Sequence, residues 1–194
     1  RQLQGLRKIC DEKDILLIFD EVQCGMGRTG KMFAHEWSGV SPDIMTIAKA
    51  IGNGFPLGAC LTSKKVGDKM EFGSHGSTFG GNPLATKVAS RALKLLYEDN
   101  LIENSATLGE YFKLKLKSIN NKIIKDVRGK GLWIGMELNE NEVNAKDLCL
   151  MLLNEGLLCK ETHKTVIRFA PPLMITKKDL DWAIEKITKV IRTI

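Results

Sequence analysis

Ile15-Leu-Leu-Ile-Phe-Asp20 and Asp43-Ile-Met-Thr-Ile-Ala48-Lys49 are two short apolar runs, and each ends in a single charged residue. Both read as buried strands of an α/β sheet. A buried carboxylate or ammonium costs several kcal/mol unless a partner compensates it. Asp20 and Lys49 carry opposite signs and stand at the C-terminal ends of neighbouring α/β elements, where parallel sheets place their ligand sites. Working outward, residues 2–13 read as the tail of a helix, and a glycine-rich loop (24–30) follows the first strand. The Gly52-Asn-Gly54 turn and a third apolar strand, Leu57 to Thr62, follow the second. Strands alternating with helices predict a parallel or mixed sheet.

Asn82-Pro83 supplies a cap and a first-turn proline for a helix whose apolar stripe is Leu84, Val88, Ala92 and Leu95, ending near Asp99-Asn100. A second helix is expected from about Ile102 to Ile119, with the domain boundary near residue 100: residues 1–100 and 101–194. The remainder reads as a small α+β domain. It has a strand at 132–138, a helix opened by Asn144 and Asp147 and stopped by Gly156, and a strand at 165–169 closed by Pro171-Pro172. The last helix opens on Thr176-Lys-Lys-Asp179 and carries Leu180, Ile184, Ile187 and Ile191 on one side.

Composition narrows the function. The 194 residues, 43% hydrophobic and 27% charged, are enough for a substantial core and are typical of a soluble globular protein. No apolar stretch approaches the ~18 residues a membrane span needs, and no signal peptide is visible, so no membrane partner is expected. The five cysteines (Cys10, Cys24, Cys60, Cys149, Cys159) are scattered, with no C-x-x-C pair, which fits a reducing cytoplasm better than a disulfide framework. Net charge +6 invites nucleic acid, but Lys113, Lys115, Lys117, Lys122 and Lys125 alternate with Leu114, Leu116 and Ile119 and read as the wet face of a helix. No nucleic-acid partner is expected. His35, His75 and His163 show no metal-ligand spacing, so no metal is assigned.

A lysine that can form a Schiff base and an aspartate that can pair with a pyridinium nitrogen are what pyridoxal phosphate (PLP) chemistry asks of a protein. From Asp20 and Lys49 alone, a structural ion pair or two ordinary strand ends explain the residues too. The surrounding motifs decide between these readings. Asp20-Glu-Val-Gln-Cys-Gly-Met-Gly-Arg-Thr-Gly30, Pro42-Asp-Ile-Met-Thr-Ile-Ala-Lys-Ala-Ile-Gly-Asn-Gly-Phe-Pro-Leu-Gly58 and His75-Gly-Ser-Thr-Phe-Gly-Gly-Asn-Pro83 are similar to segments of the class III (ornithine and acetylornithine) aminotransferases. The resemblance continues through Arg128-Gly-Lys-Gly-Leu-Trp-Ile-Gly135 and Ile167-Arg-Phe-Ala-Pro-Pro-Leu173, in the family's order and over nearly the whole chain.

The resemblance implies the C-terminal part of a fold type I PLP-transferase large domain, with a mixed or parallel sheet, followed by a small C-terminal α+β domain. It makes Lys49 the Schiff-base lysine, Asp20 the partner of the ring N–H and Gln23 the hydrogen-bond partner of the ring's phenolic oxygen. It assigns Ser77 and Thr78 to the cofactor phosphate of a neighbouring subunit, which implies a homodimer with shared sites, and Arg168 to the substrate α-carboxylate. Each has a plainer alternative in the residues themselves: a solvated amide for Gln23, a cap and turn for Ser77 and Thr78, a salt bridge for Arg168.

Family members carry a long N-terminal half with a phosphate loop and a ring-stacking aromatic, and a start at Arg1 suggests an N-terminally truncated piece. The expected reaction moves an amino group from ornithine or N-acetylornithine to 2-oxoglutarate. Pro42 to Leu61 looks more like the acetylornithine enzymes, and Leu157 to Pro172 more like the ornithine δ-aminotransferases. The second segment adjoins Arg168 and favours ornithine. The alternative is a non-catalytic remnant or interaction fragment of such an enzyme.

Gly25-Met-Gly27-Arg-Thr-Gly30 also fits the dinucleotide fingerprint G-x-G-x-x-G. Asp20 to Gln23 separate it from the strand, and no helix is expected after it, so that reading is rejected.

Overall fold

The computed structural model describes residues 2–194. The chain divides into a first compact unit ending at Ile102 and a second, Glu103–Ile194.

The first unit opens with α1 (Gln2–Glu12), then β1 (Ile18–Asp20), a 3-10 helix (Ala34–Ser38), β2 (Ile44–Ile47), a second 3-10 turn (Lys49–Ile51), β3 (Ala59–Thr62), the short α2 (Lys64–Gly67) and α3 (Pro83–Glu98). The sheet is mixed, in the order β1-β2-β3, with β1 parallel and β3 antiparallel to β2. Asp43 ties α1 to the sheet: its carboxylate accepts from the Arg7 guanidinium at 2.7 Å and from the Leu17 N–H at 2.8 Å. Asn82 caps α3 by accepting from Ala85 N, with Pro83 in the first turn.

Two expectations for this unit need correction. The strand expected at 15–20 shrinks to Ile18–Asp20, and Ile15, Leu16 and Ile18 are exposed because nothing in the unit covers that side of β1. The inner face of α3 is Ala85, Ala89 and Leu96, one position round from the expected stripe, and Leu84 points to solvent. Small alanines let the helix lie close against the turn Lys49–Ile51.

The second unit contains α4 (Leu101–Lys117, which begins just before the division), β4 (Ile124–Lys130), β5 (Trp133–Leu138), α5 (Ala145–Asn154), β6 (Lys160–Thr162), β7 (Val166–Phe169) and α6 (Lys177–Arg192). Its sheet is antiparallel throughout, in the order β4-β5-β7-β6. The core is continuous, with Phe112, Leu116, Ile134, Met136, Leu148 and Ile187 at its centre. The Thr176–Asp179 capping box forms as the residues suggest, each side chain accepting from the other's backbone N–H. The expected lysine face is split: Lys113, Lys115 and Lys117 lie on α4, whereas Lys122 lies in a turn and Lys125 on β4, where it bonds Glu137 at 2.7 Å. Gly109 of α4 sits so close to the β4–β5 turn that a Cβ there would lie 2.0 Å from the Gly131 carbonyl carbon.

No helix among the described residues is long and apolar enough to cross a membrane.

Candidate active site

Parallel pairing puts Asp20 opposite Thr46, so β1 and β2 end side by side and the Glu21 N–H donates to the Thr46 carbonyl at 2.9 Å. Lys49 follows one residue after Ala48, in the left-handed region (φ +48°), which swings it out of the line of the strand. The chain then turns sharply: Gly52 and Asn53 N–H both donate to the Lys49 carbonyl. Gly52 is required there, since a Cβ would fall 2.0 Å from the Phe55 carbonyl oxygen. Lys49 is exposed, and its side-chain amine makes no hydrogen bond or ion pair with any described residue.

Asp20 is exposed, against the expectation of a buried carboxylate, and one oxygen accepts from the Val22 N–H at 2.9 Å. That bond folds residues 20–22 into a turn which projects Gln23, itself exposed and without a side-chain partner among the described residues. An Asp20–Lys49 ion pair does not form.

Glu21, to which no role was assigned from sequence, organises this region. It is only 2% exposed. Its two carboxylate oxygens accept from His35 N at 2.8 Å, Ala34 N at 2.9 Å and the Cys24 thiol at 3.1 Å. The first two donors are the opening N–H groups of the 3-10 helix, where an acceptor is needed and a negative charge is welcome. One side chain therefore closes the loop 22–36 back onto the end of β1. Burial, and then the Glu21 carboxylate, push the Cys24 thiol up to about 12, so it stays neutral and is no nucleophile. His35 Nδ1 donates to the Val40 carbonyl at 2.8 Å, and the ring stacks on Phe33, a structural role. The glycines of the dinucleotide look-alike form successive turns leading to the 3-10 helix.

Ser77 and Thr78 lie in an exposed turn. Ser77 Oγ accepts from Gly80 N at 3.0 Å, and the first N–H groups of α3 are served by Asn82 rather than left open. The two hydroxyls thus stand several residues before the helix, not at its N-terminus. Gly81, next to this turn, lines an apolar cleft of about 600 Å³ with Ile47, Ile51, Leu57 and Ala89. No hydrogen bond joins Ser77 or Thr78 to Asp20, Gln23 or Lys49 among the described residues.

Arg168 belongs to the second unit. Ile167 and Phe169 on β7 are buried in the core, whereas Arg168 on the opposite face is half-buried. Its cross-strand neighbours are Gly135, which has no side chain to crowd it, and Lys160, a second cation. The guanidinium has no hydrogen-bond or ion-pair partner among the described residues, so the salt-bridge alternative is not met.

Comparison with known proteins gives this geometry a context. The family described as "Aminotransferase class-III" matches residues 1–191. The chain belongs to the class III aminotransferases. The ornithine aminotransferase of Macrococcus caseolyticus (strain JCSC5402) is 54% identical over 189 residues, covering 97% of this chain and 47% of that protein. The chain therefore spans about half the length of the curated relatives it matches. Among solved structures, the Plasmodium yoelii ornithine aminotransferase superposes with a TM-score of 0.93 at 41% identity, covering 98% of this chain and 51% of that one. The Elizabethkingia anophelis acetylornithine aminotransferase gives 0.92 at 39%, covering 99% and 51%. The mixed α/β fold is thus that of solved PLP-transferases.

Class III aminotransferases depend on PLP. The donor set of the first unit fits that group: one carboxylate, one free amine and one free amide at adjoining strand ends, with two hydroxyls on an exposed turn of the same unit.

Proposed function

We propose that this chain is the lysine-bearing part of an ornithine-type aminotransferase, which moves an amino group from ornithine to 2-oxoglutarate, with N-acetylornithine as the alternative donor. The observation that carries the reading is the parallel pairing of β1 and β2, whose adjoining ends carry Asp20 and, three residues beyond Thr46, Lys49, with no ion pair between the two.

When bound, PLP supplies an aldehyde for amines and a cationic ring that draws in electrons. The protein does the rest. The Asp20 carboxylate holds a proton on the ring nitrogen, and the Val22 N–H fixes its rotamer for that purpose. Gln23 would donate to the ring's phenolic oxygen. Lys49 would hold the cofactor through its Nζ, and the same amine would move a proton at the substrate carbon that bears nitrogen. Arg168 holds the substrate carboxylate through paired N–H bonds, helped by the field of Lys160 across the strand.

Ser77 and Thr78 serve the phosphate of a partner subunit in a homodimer. In support, Phe72 and Phe79 flank them fully in solvent, as residues awaiting an interface would be. The five free thiols are compatible with a reducing cytoplasm.

Borohydride trapping with PLP, followed by peptide mapping, tests the core of the reading, both in the 194-residue chain and in a version extended to the relatives' length. The pyridoxyl label is expected on Lys49. A label mainly on Lys31, Lys64 or Lys65 would overturn the assignment, and no labelling in either form would favour a non-catalytic remnant. Residues 1–194 alone are expected to bind PLP weakly, because they contain no same-subunit phosphate loop. Coupled assays with ornithine and with N-acetylornithine on the extended version then settle the donor.

A further inference from the structure

Cys149 and Cys159 looked unrelated in the sequence. In the structure their sulfurs lie 3.4 Å apart, with the Cys159 S–H directed at Cys149 Sγ. Cys149 is buried on α5, and Cys159 is half-buried one residue before β6. The segment between them reverses direction at Gly156, in the left-handed region at φ +86°, with Leu157 N bonded back to the Leu152 carbonyl at 2.9 Å.

We propose that Cys149 and Cys159 form a dithiol site that closes into an intramolecular disulfide when a small-molecule disulfide such as oxidised glutathione is present. A disulfide bond is ~2.05 Å long, so the sulfurs must approach by a little over an ångström. Leu158, at the end of the connecting turn beside Cys159, is exposed, so core packing does not oppose a movement of that end. One protein thiolate attacks the small disulfide, forming a mixed disulfide and releasing one glutathione thiolate. The second protein thiolate attacks the protein sulfur of that mixed disulfide and releases the other glutathione. Two electrons pass from the protein sulfurs to the oxidant, and the two thiol protons end on the released glutathiones. Burial pushes both thiols up, so closure is slow at neutral pH and quickens as pH rises.

The bond would have a definite structural target. Cys159 immediately precedes Lys160, which faces Arg168 across β6 and β7. Oxidation would fasten that edge strand to α5 and so restrict the neighbourhood of Arg168.

The test is peptide mapping of the folded 194-residue chain after oxidised glutathione treatment at mildly alkaline pH, with free thiols blocked. The expected product is a Cys149–Cys159 cross-link, lighter by two hydrogens than the reduced protein, with Cys10, Cys24 and Cys60 left free or singly glutathionylated. A denatured control is essential. Unfolded, Cys10–Cys24 and Cys149–Cys159 close loops of similar length and should form comparably, so a preference confined to the folded chain marks the geometry as its cause. In Cys149→Ser and Cys159→Ser the remaining cysteine should accumulate glutathione instead. Equal pairing in folded and denatured protein, separate glutathiones on the two cysteines, or their complete blocking would each overturn the proposal. If the serine variants fail to fold, the wild-type mapping decides alone.

Discussion

Replacing Glu21 by Gln removes half of what holds the loop beside Asp20 in place. The carboxylate accepts from His35 N, Ala34 N and the Cys24 thiol, in a setting almost closed to solvent. A glutamine keeps one acceptor oxygen, and its amide nitrogen must then face a backbone N–H, donor against donor. A hydrogen bond to a charged acceptor contributes ~1.5–3 kcal/mol, and a buried donor left unmade costs ~1–3 kcal/mol. The lower part of that range gives about 3 kcal/mol against the closed loop, or roughly a 150-fold rise in its open population. Arg28 and Lys31 lie within the loop, so trypsin reads that population directly when closing outpaces cleavage. Cleavage at these two sites should therefore accelerate by about two orders of magnitude. Glu36→Gln is the control, because exposed Glu36 accepts only from the Phe33 N–H among backbone donors. If Glu21→Gln speeds cleavage no more than that control does, Glu21 does not anchor the loop and the argument from its hydrogen bonds fails.

Gly109→Ala should destabilise the second unit by about 2 kcal/mol or more, since overpacking against fixed backbone outweighs the ~1 kcal/mol gain in helix propensity. Gly5→Ala, with nothing near its Cβ, should instead raise stability slightly; urea titration of both variants checks the contrast in sign. The Asp43 carboxylate is held below its ordinary value, first by the Leu17 N–H and then by Arg7. Its contribution is therefore complete above the ordinary carboxylate range and is lost as pH falls through the lowered value. Acid unfolding followed by circular dichroism should show this, and Asp43→Asn should flatten that part of the pH dependence. Cys24 should resist alkylation by iodoacetamide near neutral pH, and Glu21→Gln should speed the reaction by removing a neighbouring anion that raises the thiol.

Local signals were legible in the sequence wherever a few neighbouring residues settle the backbone. Asn82-Pro83, Asn144 and the Thr176–Asp179 box mark helix starts that the structure reproduces. β4 escaped notice because Ile-Lys-Asp-Val-Arg-Gly-Lys reads as polar: as an edge strand it buries only Val127. β6 is three residues long and leaves no periodic trace. Lys49 could be located because it ends an apolar run before a glycine turn, but its left-handed backbone could not. Glu21 was overlooked for a different reason. Its backbone partners, Ala34 and His35, lie more than ten positions along the chain, and a carboxylate satisfied by backbone N–H groups carries no sequence mark. The Cys149–Cys159 contact likewise depends on how a helix folds back against a strand.

Large buried side chains are divided unequally between the two units. Every large side chain that is fully buried belongs to the second unit, whereas the first relies on a thin sheet with an open outer strand. Hydrophobic burial is the main term opposing chain entropy, so the two halves draw on unequal reserves. A single unfolding midpoint for this protein is then a composite of two events. The tryptophans are distributed in a way that separates them: Trp37 lies in the first unit, and Trp133 and Trp182 lie in the second. Emission from a Trp37→Phe variant follows the sturdier half alone, and subtracting it from the parent signal isolates the half that carries Lys49.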